Sequence, residues 1–282
     1  MVNTKISNMC KTDLILGYQL TKKRCEYNLG YIQAASDKGI RETQEDSVII
    51  LEHPKDKSIK MLAVADGVGG EEKSEIASNE TLKELIIFFE TTPAKYFEES
   101  DYINYILDKK IEDINTDIHN KQIGCTTLSV AIVTKKETLI RNIGDSRVYS
   151  YNKSLKQETI DDSYVQKRYE EGSIREKDLM RFHRWSNVIQ NAVGSAEDIK
   201  INTYTIPNDY KYLILTTDGV TDCLSDSSLE SIIKNNKESN LANKIVEQAL
   251  CSMSFCHEEG EDYQKEIKGG KDNTTCAVLK RK

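Results

Sequence analysis

The sequence contains few of the residues on which zinc and thiol chemistry depend. Among 282 residues there are only four histidines, and the seven cysteines are scattered without a CxxC pair. Cys251, Cys256 and His257 come nearest to a metal-binding group, in a stretch with a helical pattern, but their spacing matches no common zinc site. We therefore expect reduced cysteines and no zinc, and any bound metal should be an ion that prefers acidic oxygen ligands.

Long apolar runs and an excess of positive charge are missing as well. No segment approaches the roughly 18 consecutive apolar residues of a membrane span, and residues 1–20 show no cleavable signal pattern. The 39 basic and 46 acidic residues give a formal net charge of −7, which argues against nucleic acid or an anionic membrane as a partner. We expect a cytoplasmic monomer that binds neither.

What the sequence does contain is a grouped order of strands and helices. Three short apolar runs between residues 29 and 66 are typical of strands, and two amphipathic helices follow, separated by Thr92-Pro93. Residues 125–151 predict three strands with tight connections, which suggests an antiparallel meander. A polar helical stretch from Ser163 to about Trp185 comes next.

The remainder of the chain repeats this grouping. Two strands are predicted over 199–206 and 211–218, the second ending at Asp218. Helices are predicted over 226–236 and 240–253, and a loop leads to a last strand over 274–280. Strands grouped in this way, rather than alternating one by one with helices, predict antiparallel sheets with helices on their outer faces. With no internal repeat and no low-complexity linker, the pattern indicates one domain.

Acidic residues recur where these strands begin or end, beside glycine or asparagine. Taken alone, each is typical of an ordinary turn, as Asp66 before its run of glycines illustrates. Gathered at one rim of a sheet core, the carboxylates would repel each other unless divalent cations lay between them. Two such ions close together suggest hydrolysis of a phosphate ester by a bridging water. The residues concerned are Glu45, Asp46, Asp66, Asp145, Asp218 and Asp272.

Six motifs, in order along residues 29–280, resemble those of the metal-dependent protein phosphatases, the protein phosphatase 2C family. They are GIRETQED (39–46), VADGVGG (64–70), GCTTLSVAIV (124–133), IGDSRVYSY (143–151), LTTDGVTD (215–222) and KDNTTCAVL (271–279). The resemblance is to the bacterial type and implies a serine/threonine protein phosphatase. It also implies an α+β fold, a four-layer α-β-β-α sandwich of two antiparallel sheets flanked by helices. This domain would span residues 29–282, with residues 1–28 as an N-terminal extension of unknown role.

The resemblance implies metal ligands residue by residue. Asp66 matches the aspartate that bridges two ions, Mn²⁺ or Mg²⁺, and Gly67 matches the glycine whose carbonyl binds the second ion. Asp218 and Asp272 match the other ligands of the first ion. Glu45 stands where some members place a ligand of the second ion.

Further roles are carried over in the same way. Asp145 and Asp222 match positions that hold a third, weaker metal ion in bacterial members, although Asp145 could equally cap the turn between two strands. Asp46 matches a carboxylate that hydrogen-bonds metal-bound water. Arg41 matches an arginine that in some members grips the substrate phosphate, while an arginine before a strand is as often a solvated surface residue. Asn273 completes the DN motif and is expected to orient the neighbouring Asp272, which precedes it.

The chain departs from animal members of the family at one position and matches bacterial members in one segment. Val68 stands where animal members have a histidine proposed as the general acid, so we assign no histidine to catalysis. Residues 161–198 look like the flap and adjoining segment of bacterial members, with the flap itself at about 163–185. We expect the flap to be mobile because few apolar residues can pin it down, namely Val165, Ile174, Leu179 and Met180.

Two other functions are compatible with parts of this pattern. A phosphatase-like interaction module without activity should have lost a core aspartate, whereas Asp66, Asp218 and Asp272 are all present. A hydrolase of small phosphate esters would use the same site, but the flap offers surface suited to a protein substrate. The family resemblance implies phosphoprotein substrates and, as a partner, a cytoplasmic serine/threonine kinase.

Overall fold

The structure, a computed structural model, describes residues 14–15, 24–28, 31–68, 73–236, 240–258 and 262–281. The first half contains β1 (Leu14–Ile15), β2 (Arg24–Asn28), β3 (Ile32–Asp37), β4 (Asp46–Glu52), β5 (Lys60–Asp66), α1 (Ser74–Thr91), α2 (Ser100–Lys121), β6 (Leu128–Val133) and β7 (Glu137–Ile143). The second half contains β8 (Arg147–Tyr151), β9 (Leu155–Gln157), α3 (Tyr164–Glu170), β10 (Asn202–Pro207), β11 (Tyr212–Thr216) and α4 (Asp218–Thr221). It ends with α5 (Asp226–Asn235), α6 (Leu241–Leu250), β12 (Met253–Phe255), β13 (Glu266–Lys268) and β14 (Thr274–Lys280).

The described strands form two six-stranded sheets and a separate two-stranded ribbon. The first sheet has the order β1-β4-β5-β6-β7-β10 and the second has the order β2-β3-β14-β11-β8-β9, while β12 pairs with β13. The pairings of neighbouring strands are antiparallel. Helices α1 and α2 cover the first sheet, and α4, α5 and α6 cover the second, so the predicted α+β sandwich is confirmed.

Strand residues alternate between two apolar layers, which explains why the strand sequences are continuously hydrophobic. In β4, Val48 and Ile50 face the layer between the sheets, whereas Ile49 and Leu51 pack under the helices. Both faces of the central strands are therefore buried. Each such side chain contributes about 1.5–3 kcal/mol when it is removed from water. The polar strand ends are left at the two rims of the sandwich.

The two α-helices between β5 and β6 follow the predicted apolar stripes. In α1, Leu82, Leu85 and Phe89 are fully buried against the first sheet. The helix ends at Thr91, directly before Thr92-Pro93, because proline lacks a backbone N–H and restricts the residue before it. Among the described residues, none of the helices combines the length and the apolar character of a membrane span.

The predicted meander of three strands is wrong in its third member. β6 pairs with β7 in the first sheet, but β8 pairs with β9 and β11 in the second. The chain crosses between the sheets at Gly144, whose φ of 94° lies in the left-handed region. A Cβ at this position would come within 2.7 Å of Thr127 Cγ2. The crossing therefore needs glycine, and it leaves Asp145 at the rim.

The prediction of a helix as far as Met253, followed by a plain loop, is also wrong. α6 ends at Leu250, and β12 and β13 pair as a ribbon. Cys251 and Cys256 accordingly lie outside any helix. Sequence reasoning missed the ribbon because each of its strands has only three residues, too few for an alternating pattern to stand out.

The flap forms two short helices instead of one helical stretch. They are α3 and a 3₁₀ helix over Lys177–Phe182, separated by a turn with Gly172 at a φ of 75°. The predicted apolar stripe is confirmed as a small separate cluster, in which Val165, Ile174 and Met180 are buried and Leu179 packs against them.

Two strands fall within the first 28 residues, the part of the chain that the sequence separates from the phosphatase-like domain. β1 pairs with β4 at one edge of the first sheet, and β2 pairs with β3 at one edge of the second. The described part of this segment therefore extends both sheets by one strand each.

Candidate active site

Two aspartates face each other across neighbouring strands of the first sheet. Asp46 begins β4, Asp66 ends β5, and the two residues are partners in the antiparallel register. Directly opposed residues of antiparallel strands carry their side chains on the same face, with Cβ atoms about 4.5–5.5 Å apart. Both carboxylates therefore lie at one rim of the sheet.

The second sheet brings two further aspartates to this rim. Asp218 follows β11 and opens α4, while Asp272 precedes β14, the neighbour of β11. Thr217 Oγ1 donates to Asp46 Oδ2 at 2.8 Å, which ties the end of β11 to the start of β4. The rim thus collects carboxylates from both sheets, as the strand-end pattern predicts.

Glycines let the segments that carry these aspartates approach closely. A Cβ on Gly219 would lie 2.0 Å from Asn273 O, and one on Gly67 would lie 2.7 Å from Ser74 O. Neither position has room for a side chain. Gly67 N–H also donates to Glu45 O at 3.2 Å, which joins the ends of β4 and β5 at the rim.

Asn273 fastens the loop before β4 to the turn before β14. Its Oδ1 accepts the Glu45 N–H at 2.7 Å, and its Nδ2 donates to Lys38 O at 3.1 Å and Thr43 O at 3.0 Å. The Asn273 N–H donates to Asp272 Oδ1 at 2.8 Å. The backbone of Asn273 thus contacts Asp272, while its buried amide positions Glu45.

Arg41 is engaged with a carboxylate. Its Nη2 lies 2.7 Å from Asp272 Oδ2, and both side chains are close to half exposed. The guanidinium therefore lies at the rim, next to a predicted metal ligand. Its role as a phosphate ligand stays a prediction.

The electrostatics show that these carboxylates share one site. Burial, and then the neighbouring Asp272 carboxylate, raises the pKa of Asp218 to about 6. Burial raises the pKa of Asp46 to about 8, although the nearby hydroxyl groups of Thr275 and Thr217 oppose the shift. The pKa of Asp66 lies well above its usual range because of burial and the nearby Asp218 carboxylate. Without a cation the group retains protons near neutral pH.

A second acidic cluster adjoins the first, under the flap. Burial and the Asp218 carboxylate raise the pKa values of both Asp145 and Asp222 well above their usual range. Asp222 N–H donates to Asp218 O at 2.7 Å, one helical turn away. These three aspartates line one narrow cavity, whose other wall is formed by flap residues that include Met180 and Arg181. The structure thus brings the two predicted third-metal residues together.

Comparison with known proteins decides the family. Residues 42–251, well over half of the chain, match the sequence model described as Protein phosphatase 2C. The chain belongs to the protein phosphatase 2C family. It is a protein serine/threonine phosphatase, and the resemblance inferred from the six motifs is confirmed.

Its relatives are bacterial phosphatases. The serine/threonine phosphatase stp of Listeria welshimeri is 29% identical over 257 residues, covering 87% of this chain and 94% of that protein. The protein phosphatase PhpP of Streptococcus pneumoniae is 26% identical over 182 residues, covering 62% of this chain and 73% of that protein. The crystal structure of serine/threonine phosphatase Stp1 from Staphylococcus aureus has a TM-score of 0.76 at 25% identity, covering 89% of this chain and 94% of that one.

Sequence reasoning missed part of the phosphatase site. Arg147 forms a paired hydrogen bond with Asp161, through Nε and Nη2 at 2.6–3.0 Å, at the edge of the cavity under the flap. Arg147 lies in the motif that contains Asp145, but nothing in that motif indicates a partner fourteen residues later. The role of Thr217 was missed as well. Its bond to Asp46 joins the two sheets, and a threonine before an aspartate does not indicate such a contact in the sequence.

The donor set suits hard divalent cations. Carboxylate oxygens are the ligands that Mn²⁺ and Mg²⁺ prefer, and Asp46 Oδ1 and Asp145 Oδ1 are buried without a hydrogen-bond partner among the described residues. In the described ranges, however, no three acidic, histidine or cysteine side chains stand ready as a closed metal cage. One reason is that Asp272 points to Arg41.

Proposed function

We propose that this phosphatase hydrolyses phosphoserine and phosphothreonine on proteins with the help of two Mn²⁺ or Mg²⁺ ions. The observation that carries the proposal is the facing pair Asp46 and Asp66 with Asp218 beside them, three carboxylates whose pKa values are raised by burial and by the neighbouring carboxylates. Ions bound there would supply a water molecule of lowered pKa for attack on phosphorus.

The chain's own residues divide the remaining work. Asp66, Asp218 and Asp272 would hold the first ion, with Asp66, the Gly67 carbonyl and Glu45 on the second. Asp145 and Asp222 would hold a third ion under the flap. These assignments rest on the family motifs and are supported by the common rim of the first group and the shared cavity of the second.

Asp46 and Arg41 would act on the attacking water and on the substrate. Asp46 Oδ2 is held by Thr217, which leaves Oδ1 free to accept a hydrogen bond from water and orient it. Arg41 would leave Asp272 when the metal ions bind and grip the phosphoryl oxygens through its fork of N–H donors. Asn273 would hold the Glu45 backbone in place throughout.

The natural substrates we propose are cytoplasmic phosphoproteins, with a serine/threonine kinase as the opposing enzyme. Support comes from the family and from the relatives named serine/threonine phosphatase. The flap supports a protein substrate over a small ester, because it adds surface beside the aspartates that a small ester would not need.

The test combines metal binding with activity. Hydrolysis of a phosphothreonine peptide and of an aryl phosphate should need added Mn²⁺ or Mg²⁺ and stop in EDTA. Asp66→Asn and Asp218→Asn should each lower kcat by at least about a hundredfold and weaken Mn²⁺ binding measured by calorimetry. Asp117→Asn, an exposed carboxylate on α2, is the matched control and should change neither. Full activity in chelator, or in either rim variant, contradicts the two-metal mechanism.

A further inference from the structure

The loop between β12 and β13 is joined to the flap along a short antiparallel contact. We call this contact the seam; it consists of flap residues 182–184 and residues 262–264 of that loop. The Arg184 N–H donates to Asp262 O at 2.8 Å, and the Gln264 N–H donates to Phe182 O at 2.7 Å. The two bonds run in opposite directions and tie the two segments backbone to backbone.

Side chains also make contact across the seam. His183 and Tyr263 are directly opposed, and their rings meet edge to face with centroids 5.7 Å apart. Arg184 Nε lies 3.1 Å from Asp262 Oδ1 on the outer side. The ion pair is exposed and weak, so the backbone bonds and the ring contact define the seam.

On the flap side, residues next to the seam line the cavity that contains Asp145 and Asp222. Arg181 precedes the seam and Ser186 follows it closely, and both border this cavity. Arg181 also lies over the Phe182 ring at 4.3 Å and reaches Asp222 O with Nη1 at 3.4 Å. The bond to Phe182 O therefore fixes the backbone next to Arg181, beside the acidic cavity.

On the ribbon side, the chain leads directly into the active-site rim. Gly269, just after β13, donates its N–H to Ser252 O at 3.0 Å, and Gly270 O accepts the Ile40 N–H at 2.9 Å. Asp272 follows two residues later, paired with Arg41. The ribbon is thus linked to the flap through the loop between its strands, and β13 leads into the turn that carries Asp272.

We propose that the seam determines specificity for protein substrates. It holds Arg181 and Ser186 at the acidic cavity, so that the part of the polypeptide next to the phosphorylated residue is bound there. This inference rests on the proposed function. A polypeptide gains binding energy from contacts away from phosphorus, whereas a small aryl phosphate makes few of them. Loss of the seam should therefore reduce the hydrolysis of phosphopeptides and spare that of aryl phosphates.

The first test compares two substitutions at one exposed residue. Gln264→Pro removes the N–H that donates to Phe182 O, whereas Gln264→Ala keeps it. We expect the proline variant to lower kcat/KM for a phosphothreonine peptide about tenfold and that for an aryl phosphate less than about twofold. The alanine variant should leave both within about twofold of wild type. An equal loss on both substrates overturns the proposal.

A second test locks the seam. His183 and Tyr263 form a pair without hydrogen bonds between them, the kind whose Cα atoms lie about 4.5 Å apart, within the range that a disulfide spans. The double variant His183→Cys, Tyr263→Cys should keep the wild-type ratio of the two kcat/KM values when oxidised, with wild type treated alike as the control for native cysteines. Loss of peptide hydrolysis on oxidation, restored by reductant, would mean that the flap must leave the ribbon, and would overturn the proposal.

The two proposals fail in different ways. If wild type hydrolyses the aryl phosphate but no phosphopeptide, the proposed function is wrong whatever the variants do. If wild type hydrolyses both and the ratio of kcat/KM values is the same in Gln264→Pro, only the seam proposal fails.

Discussion

Histidine often acts as a catalytic residue, but the described contacts of the histidines in this chain are structural. His53 is buried, its Nε2 lies 2.9 Å from Thr92 O, and its ring packs against Phe89 and Phe97. His119 Nδ1 lies 3.1 Å from Gly194 O. The other two are His183, which belongs to the seam, and His257, which is exposed. None of these described contacts involves the rim aspartates.

Alanine replacement of each histidine in turn should therefore leave kcat for an aryl phosphate within about tenfold, below the usual effect of losing a general acid. His53→Ala should lower the free energy of unfolding by about 2 kcal/mol or more, because it leaves a cavity between two phenylalanines. Steady-state kinetics and urea unfolding measure the two effects separately. A larger drop in kcat at any one position, with the unfolding transition unchanged, would reveal a catalytic group that we have not assigned.

The rim residues show what a sequence can and cannot predict at this scale. The acidic positions followed from their place at strand ends, because antiparallel strands gathered in sheets bring their ends to common rims. Their partners did not follow. Asn273 was expected to orient Asp272, and its backbone N–H does donate to Asp272, but the bonds of its side-chain amide to the loop before β4 were not foreseen. Such contacts join residues more than 200 positions apart, and no local pattern encodes them.

Helices and strands were predictable in proportion to their length. α1 and α2 have several turns, so their apolar stripes are unambiguous, and β14 matches its predicted range in full. The ribbon strands were missed because a three-residue strand is too short to show alternation. The sheet membership of β8 could not be predicted either, since a tight turn at Gly144 is compatible with a hairpin or with a crossing.

The flap has an apolar cluster of its own, separate from the clusters of the sandwich. Its own cluster has only three buried apolar residues, whereas the cluster between the first sheet and its helices is many times larger. We expect amides over 164–182 to exchange with deuterium faster than those of α1, because a small buried area gives a small opening free energy. Ile174→Ala should accelerate exchange in the flap alone.

Ile103→Ala is the matched substitution in the large cluster. It should lower the free energy of global unfolding by about 2–5 kcal/mol, with faster exchange spread over the whole domain. Hydrogen exchange followed by mass spectrometry resolves the two patterns. Equal protection of the flap and α1 in wild type would contradict the expectation of a mobile flap.

For the molecule as a whole, the clustered carboxylates link stability to pH and to metal binding. Asp218, with a pKa of about 6, and Asp46, with a pKa of about 8, bind protons more tightly in the folded protein than in the unfolded chain, where the pKa is about 3.9. Between the unfolded and the folded pKa of each group, the folded state carries more protons than the unfolded state, so the free energy of unfolding falls as pH rises. Each pKa unit of such a shift corresponds to at most about 1.4 kcal/mol.

We therefore expect the Tm in EDTA to be lower at pH 8 than at pH 5.5. Added Mn²⁺ or Mg²⁺ should raise the Tm more at pH 8, because the ions bind deprotonated carboxylates and compete with protons for them. Asp46→Asn removes one of the repelling groups, so the fall in Tm with pH in EDTA should become shallower, whereas Asp117→Asn on the exposed face of α2 should not alter it. Thermal unfolding followed by circular dichroism at both pH values, with and without metal, measures these Tm values for wild type and both variants. A metal-free Tm that stays constant or rises over this range would mean that these buried aspartates do not bind protons more tightly in the folded protein, which would remove the electrostatic reason for placing metal ions between them.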